Sequence, residues 1–469
     1  MTQQGGSQAN QPQVTSLWKA PGYVPTLIAV ACAFGAWSLL LPVIPAQVID
    51  QGGSRTLAGA TTGIFMVATV VTQVLTPRAL RRFGYNPVMV AAAVTLGVPA
   101  LGYLLGMSAL PALLFSAIRG VGFGALTVAE SALIAELVPV RLLGKASGTL
   151  GVFVGLAQML FLPVGMAMLD TPLGFTSVCI AAAVVAVVAG VMCLRIPRIK
   201  ASTSAPQDPA QRHHLPAVST WKLVTVPALA VTSLSMSFGA VSSFLPVAVR
   251  ELDAHTGAVI GGVMLSIVGG AIMALRYASG IIADRRGRPG VTMIPGQILG
   301  GAGVALMAVV LYYEWPVWYL IIAAIAFGGG FGLVQNEALL TMFLRLPRSR
   351  VSDASAIWNA SYDAGTGLGS FILGAVAAQL AYSGAFAVGA ALVAVGLVLT
   401  VGDAIVGRHR ITEYSNTRAR LRQIPMARAA VLQARKVRHS LLMPQQQGPT
   451  VRGRIERLDP TKKDHEGQD

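Results

Sequence analysis

Phe34-Gly35-Ala36-Trp37-Ser38-Leu39-Leu40-Leu41-Pro42-Val43 returns later in the chain as Phe238-Gly239-Ala240-Val241-Ser242-Ser243-Phe244-Leu245-Pro246-Val247. The pattern FGA-x-S-x-x-LPV thus occurs twice, at an interval of 238 − 34 = 204 residues, and the chain is a duplicated unit. Each copy lies inside a long apolar stretch, so the repeated unit is a bundle of membrane helices rather than a soluble repeat.

Composition agrees with that reading. Of 469 residues, 54% are hydrophobic and 12% charged, and the mean hydropathy of +0.65 is too high for a water-soluble globule. Apolar runs of about 20 residues, the length that crosses a hydrocarbon core, predict spans at 23–49, 57–77, 87–106, 110–138, 148–169, 173–195, 225–249, 257–280, 291–313, 316–344, 353–380 and 384–406. The expected fold is an all-α membrane protein of twelve transmembrane helices in two pseudo-symmetric six-helix bundles. The predicted domains are an N-terminal segment 1–22, a first bundle 23–195, a central linker 196–224, a second bundle 225–406 and a basic tail 407–469.

Charge orients the bundle. With an even number of spans, the loops on the N-terminal side carry seventeen Lys and Arg before the tail, whereas the opposite loops carry Arg55 and Arg250. The positive-inside rule then places both termini in the cytoplasm of a multi-pass plasma (inner) membrane protein. The net charge of +16 follows from topology and is no signal for nucleic acid. Cys32, Cys179 and Cys193 all fall within spans and form no metal-ligand or disulfide pattern. His213-His214, in a linker rich in Ser and Pro, lacks further ligands and reads as a solvated feature. The tail holds fourteen Lys and Arg, and its stretch 416–443 reads either as an amphipathic helix on anionic lipid or as a solvated chain.

Two motifs carry a family resemblance. Gly280-Ile281-Ile282-Ala283-Asp284-Arg285-Arg286-Gly287-Arg288, after span eight, resembles the G-x-x-x-D-R-x-G-R signature of the major facilitator superfamily. Arg119-Gly120-Val121-Gly122-Phe123-Gly124 in span four is similar to that superfamily's R-x-x-x-G-x-G motif. The resemblance implies alternating access by two six-helix halves, with a signature loop of one half latching onto a helix start in the other. It thereby selects two crossed pairs as cytoplasmic gating contacts, Arg81 with Asp353 and Asp284 with Lys145, flanked by Arg285, Gly287 and Arg288. In the aligned halves Arg81 stands where the second half has Asp284 (287 − 84 = 203), and Lys145 stands where it has Asp353 (353 − 145 = 208). Arg119 stands opposite Phe327.

An ionisable group inside a span is costly and is a functional candidate by default. Arg119, Glu130, Glu337 and Asp363 are the candidates for proton coupling or for lining a cavity. Arg119 and Glu130, eleven residues apart, return to nearly the same helix face about 16 Å apart along the axis, which predicts one shared cavity. Trp37, Gln158, Asn336, Trp358 and Asn359 are the candidate substrate contacts. Gln158 and Leu162 stand where the proton-driven drug antiporters resembled here would show Gly. No catalytic motif, cofactor motif or metal-spaced cluster appears, so no enzyme activity, cofactor or metal is expected. The leading expectation is a monomeric secondary transporter exporting a drug-like or small metabolite substrate against protons. Proton-linked uptake of a small nutrient and a non-transporting membrane sensor remain open alternatives.

Overall fold

The computed structural model describes residues 16–169, 171–199, 220–253 and 257–406. The His213-His214 pair and the basic tail lie outside the described residues. Twelve helices follow one another: α1 Tyr23–Leu40, α2 Val43–Asp50, α3 Arg55–Phe83, α4 Tyr85–Gly97, α5 Ala109–Leu137, α6 Leu143–Leu169, α7 Gly174–Leu194, α8 Thr220–Leu252, α9 Gly257–Arg286, α10 Met293–Tyr312, α11 Trp318–Arg345 and α12 Val351–Val406.

Among the described residues, eleven helical stretches are long and apolar enough to cross a membrane. The last of them, Arg348–Ile405, has 58 residues, far more than one crossing needs at about 1.5 Å per residue. Within it the backbone of α12 leaves helical geometry at Leu380 and at Ala381, where φ is +56° and ψ −176°. The chain therefore turns back there and crosses twice, which gives the twelve spans of the expected fold. Tyr23–Asp50 makes a single crossing from α1 and α2, joined through Pro42.

Several boundaries differ from the hydropathy reading. α3 runs through Pro77 to Phe83, and α9 continues to Arg286, so the signature segment from Gly280 to Arg286 is the last two turns of a helix rather than a loop. Charged residues can extend a helix beyond the hydrocarbon because only its middle must be apolar. The turns come at Gly84 (φ +84°) and Gly287 (φ +61°), the backbone conformation that glycine adopts without a steric penalty. α6 starts five residues before its expected beginning, at Leu143.

The duplication is visible in the packing. Gly124 of α5 abuts the Thr69 carbonyl of α3, and Gly332 of α11 abuts the Ile272 carbonyl of α9; the offsets are 208 and 203. Gly122 meets the Leu96 amide just as Gly330 meets Gly300. In each case a side chain would collide with backbone, so the small residues let helices associate where lipid gives no hydrophobic drive.

Helices α1 to α7 pack among themselves, as do α8 to α12, and the two groups meet along α3 and α5 against α12 and along α6 against α9. The glycines of α6 locate the second contact. Gly144 lies against Gly280, Gly148 against Tyr277, Gly151 against Arg276 and Gly155 against Met273, whereas nothing lies within 4 Å of the missing side chains of Gly269 and Gly270. Contact between the groups is thus concentrated at the end of the bundle where α6 begins and α9 finishes, called here the linker end. The first linker residues dock at the same end, with the Tyr85 amide donating to the Ile199 carbonyl at 3.1 Å and Asn86 donating to the Ile196 carbonyl at 3.1 Å.

Candidate functional site

The seam between α3, α5 and α12 is polar along its length. At the linker end the Arg81 guanidinium donates to Asp353 at 2.8 Å. Deeper, the Ser131 and Ser355 hydroxyls lie 2.5 Å apart, and Ser355 donates to the Val128 carbonyl at 2.7 Å. The Asn359 amide donates to the carbonyls of Thr127 (3.2 Å) and Ser355 (2.9 Å), so this candidate substrate contact is committed to binding one half to the other. Deepest of all, Gln73 donates to both the Asp363 carboxylate, at 2.5 Å, and Thr127, at 3.2 Å. Gln73 is fully buried, and its Oε1 has no hydrogen-bond partner.

The seam between α6 and α9 is built differently. The Asp284 carboxylate accepts the backbone N–H of Gly144 at 2.8 Å and of Lys145 at 2.7 Å. Asp284 thus reaches Lys145 through the free amides that begin α6, with no hydrogen bond to the Lys145 ammonium among the described contacts. The helix end itself, with its unpaired N–H groups and dipole, attracts the anion, and the Lys145 charge acts in the same direction. Arg285, Gly287 and Arg288 are exposed beside this contact.

Arg276, absent from the sequence-derived candidates, lies in the interior of α9 at this seam. Its Nη1 donates to the Gln335 side chain at 3.2 Å, and its guanidinium lies 5.5 Å from the Trp358 ring centre. A side chain at Gly151 would come within 2.5 Å of Arg276 Nε, so a glycine on the opposite half makes the room. Glu130, 5% exposed, is attracted by Arg276 but makes no direct ion pair with it, and both Glu130 Oε2 and Arg276 Nε lack hydrogen-bond partners. Trp358 donates to the Gln335 carbonyl at 3.0 Å and stacks on Tyr362 at 5.8 Å. A signal for Arg276 was present: an arginine four residues before the end of a predicted span.

Two candidates lie elsewhere. Glu337 is fully buried in the second half, where its carboxylate accepts the Thr292 hydroxyl at 2.9 Å and the Gly290 N–H. It fastens the turn between α9 and α10 to α11, away from both seams. Asn336 beside it reaches Ser279 at 3.5 Å, and its Oδ1 has no partner. Gln158 is half-buried on α6.

The cleft that Arg119 lines does not include Glu130. Arg119 lines a cleft within the first half, with Trp37, Leu40, Ile44, Thr62, Phe65 and Ser116, whereas the cation that acts on Glu130 is Arg276 of the other half. The two residues are separated by about 16 Å along α5. Trp37 stacks on Phe123 at 5.0 Å while its edge borders the same cleft. Among the described residues no group of three His, Cys, Asp or Glu is placed to hold a metal.

Residues 26–347 match the family profile of the Major Facilitator Superfamily. A search of curated proteins finds no match. Among solved structures, the human organic anion transporter MFSD10 (TETRAN) superposes with a TM-score of 0.64 at 14% identity, covering 81% of this chain and 98% of that one. The proton:xylose symporter XylE, bound to 6-bromo-6-deoxy-D-glucose, superposes with a TM-score of 0.61 at 15% identity, covering 82% and 95%. These likenesses establish the fold, and the family match spans more than half of the chain. A doubled helical bundle whose halves touch at one end is the architecture of a carrier, and the chain belongs to the major facilitator superfamily of non-enzymatic, multi-pass membrane transporters.

Proposed function

We propose that the protein exports a drug-like or small metabolite substrate in exchange for protons, with Asp363 as the coupling carboxyl. The observation that carries this reading is the hydrogen bond from Gln73 of the first half to Asp363 of the second. An ionised carboxyl inside a membrane must be partnered, and this one draws its partner from the opposite half. As a carboxylate it holds the seam closed through the Gln73 amide. Protonation turns one acceptor into a donor, for which Gln73 Oε1 is the unoccupied acceptor. Proton occupancy thereby changes how the halves are joined, which is what coupling to alternating access requires.

The gating pairs fit the same scheme. With both termini in the cytoplasm of the inner membrane, as the distribution of Lys and Arg supports, the linker end is the cytoplasmic end. Arg81 with Asp353, and Asp284 on the start of α6, then keep the cytoplasmic side closed in an outward-facing state. Such contacts suit a gate because an exposed pair contributes no more than about 1 kcal/mol and is readily broken.

The test is flux into and out of liposomes under an imposed pH gradient, across a compound panel. Wild-type protein is expected to move a substrate against its gradient at the expense of protons. Asp363→Asn is expected to retain downhill exchange and lose gradient-driven accumulation. Gradient-driven accumulation by Asp363→Asn would overturn the assignment of the coupling carboxyl. The sign of the flux separates export from proton-linked uptake, and absence of any flux favours a membrane sensor.

A further inference from the structure

The turn between α10 and α11 gathers five aromatic side chains within eight residues: Tyr312, Tyr313, Trp315, Trp318 and Tyr319. It lies at the end of the bundle opposite the linker end, where α10 finishes and α11 begins. All five side chains are exposed, by 41% to 71%. Four of the rings touch in series, with centres 4.9 Å apart for Tyr312 and Tyr313, 6.3 Å for Tyr313 and Trp315, and 5.5 Å for Trp315 and Tyr319. The backbone holds them there. Glu314 takes φ +54°, and the Trp315 N–H donates back to the Val310 carbonyl at 2.9 Å, so α10 ends in a tight left-handed turn. Because the rings are already ordered against one another, little rotamer freedom is left to lose on contact with a partner.

The flank beside the cluster identifies the partner. Trp318, Ile322 and Ile325 follow one another at helical spacing on one face of α11 and all are exposed, so the rings continue the apolar surface that two membrane-spanning helices present to lipid. Among the described residues every exposed Trp or Tyr lies at an end of the bundle, these five at one end and Trp18 and Trp221 at the other. A ring with an apolar body and one N–H or O–H is most stable where hydrocarbon meets hydrated headgroups. The stretch 312–319 holds Glu314 and no Lys or Arg, so it has no cation for an anionic headgroup. The first half has no counterpart. Its matching turn, between Leu105 and Ala109, reads Gly106-Met107-Ser108, and its exposed flanks are Leu105 and Leu110, which lack a polar tip. We infer that the stretch 312–319 is a one-sided interfacial anchor. It binds the boundary between acyl chains and headgroups in the leaflet opposite the linker end and fixes the depth of the second half, while the first half is free to shift. In a carrier the anchored half is the stationary one; that consequence rests on the transporter reading, whereas the anchor itself does not.

The test needs neither substrate nor gradient, so failure of proton coupling leaves the readout untouched. Full-length protein is placed in nanodiscs of phosphatidylcholine whose acyl chains lengthen across a series. A spin label sits at Pro316→Cys in the anchor or at Ser108→Cys in the matching turn, and the parent protein, carried through the same labelling, corrects for the half-buried Cys32. The readout is the ratio of collisions with oxygen, which partitions into hydrocarbon, to collisions with a water-soluble nickel chelate. A turn without an anchor sinks as the bilayer thickens around it, so the ratio at position 108 should rise severalfold along the series while that at position 316 stays level. Trp315→Leu with Trp318→Leu keeps apolar bulk but removes the indoles, and should make position 316 follow position 108. Tyr312→Leu with Tyr313→Leu should do so in part, and guards against a tryptophan variant that fails to fold. Replacing part of the phosphatidylcholine by phosphatidylglycerol should leave every ratio unchanged. Parallel rises at both positions in otherwise unsubstituted protein, no response at position 316 to either pair of substitutions, or a ratio there that depends on anionic lipid would each overturn the proposal. So would a label at position 316 that is immobilised in a dimer, which would assign the rings to a second copy of the chain.

Discussion

Arg81 of α3 and Asp353 of α12, 272 residues apart in sequence, meet at 2.8 Å where the two halves of the bundle touch. Their side chains are 37% and 27% exposed, so water screens the pair and its worth stays below about 1 kcal/mol. Such a contact biases a conformational equilibrium without locking it.

Arg81→Asp should therefore slow transport severalfold while changing the thermal midpoint little, because it sets two carboxylates against each other only in the state closed at the linker end. Arg81→Asp combined with Asp353→Arg should restore part of the rate. Flux in liposomes and thermal unfolding of the same preparations check this, and a charge-reversed double variant no faster than the single one would remove the gating role.

The charges at this seam were legible because duplication supplies its own alignment: loops 203 and 208 residues apart carry opposite signs at matching positions. The spans were legible because apolar length is set by membrane thickness. For Asp284 the partner residue Lys145 was named from the alignment but not the manner of contact, which is made by the amides of Gly144 and Lys145, and every residue type but proline offers the same amide. Arg276 was missed for a related reason. Its place inside a span was visible, but its neighbours, Gly151 on another helix and the Trp358 ring on a third, form a coincidence that no local pattern contains.

Gly144 and Gly280 lie so close that a side chain on either would enter the backbone of the other. Gly280→Val should wedge the linker end apart and shift the population toward the open state at that end. Spin labels at the exposed positions Arg82 and Arg348, measured by double electron–electron resonance, should show a longer mean distance than in the parent protein. An unchanged distribution would mean that the halves close by another surface.

Ala381 holds the turn between the last two spans at φ +56° and ψ −176°, a region that costs a residue with a side chain about 1–3 kcal/mol and is open to glycine. Ala381→Gly should remove most of that strain, offset in part by the greater entropy of glycine in the unfolded chain. The expected result is a raised thermal midpoint at unchanged transport. A lowered midpoint would show that the turn does not strain Ala381.

Arg276 occupies in the second half the place that Gln73 holds in the first, since 276 − 73 = 203, the same interval that relates the contacts of Gly124 and Gly332. Both residues reach inward at a seam, and each answers to a carboxyl on a different helix, Gln73 to Asp363 and Arg276 to Glu130. Arg276→Gln makes the two seams alike and leaves Glu130 without its cation. Arg276→Gln removes the guanidinium that bonds to Gln335, faces the Trp358 ring and attracts Glu130 across the seam, so the single variant should lower both the thermal midpoint and flux. Arg276→Lys keeps the charge but loses the planar face against Trp358 and the fork that reaches Gln335, and should fall between the two. The decisive comparison is Glu130→Gln with Arg276→Gln, in which no unpaired charge remains. If the two residues act as a pair, the double variant should be more stable than Arg276→Gln alone, giving a coupling energy clearly different from zero in the double-mutant cycle. Additive losses would mean that Glu130 and Arg276 serve the two halves separately, and that the second seam is held by packing and by Asp284 alone.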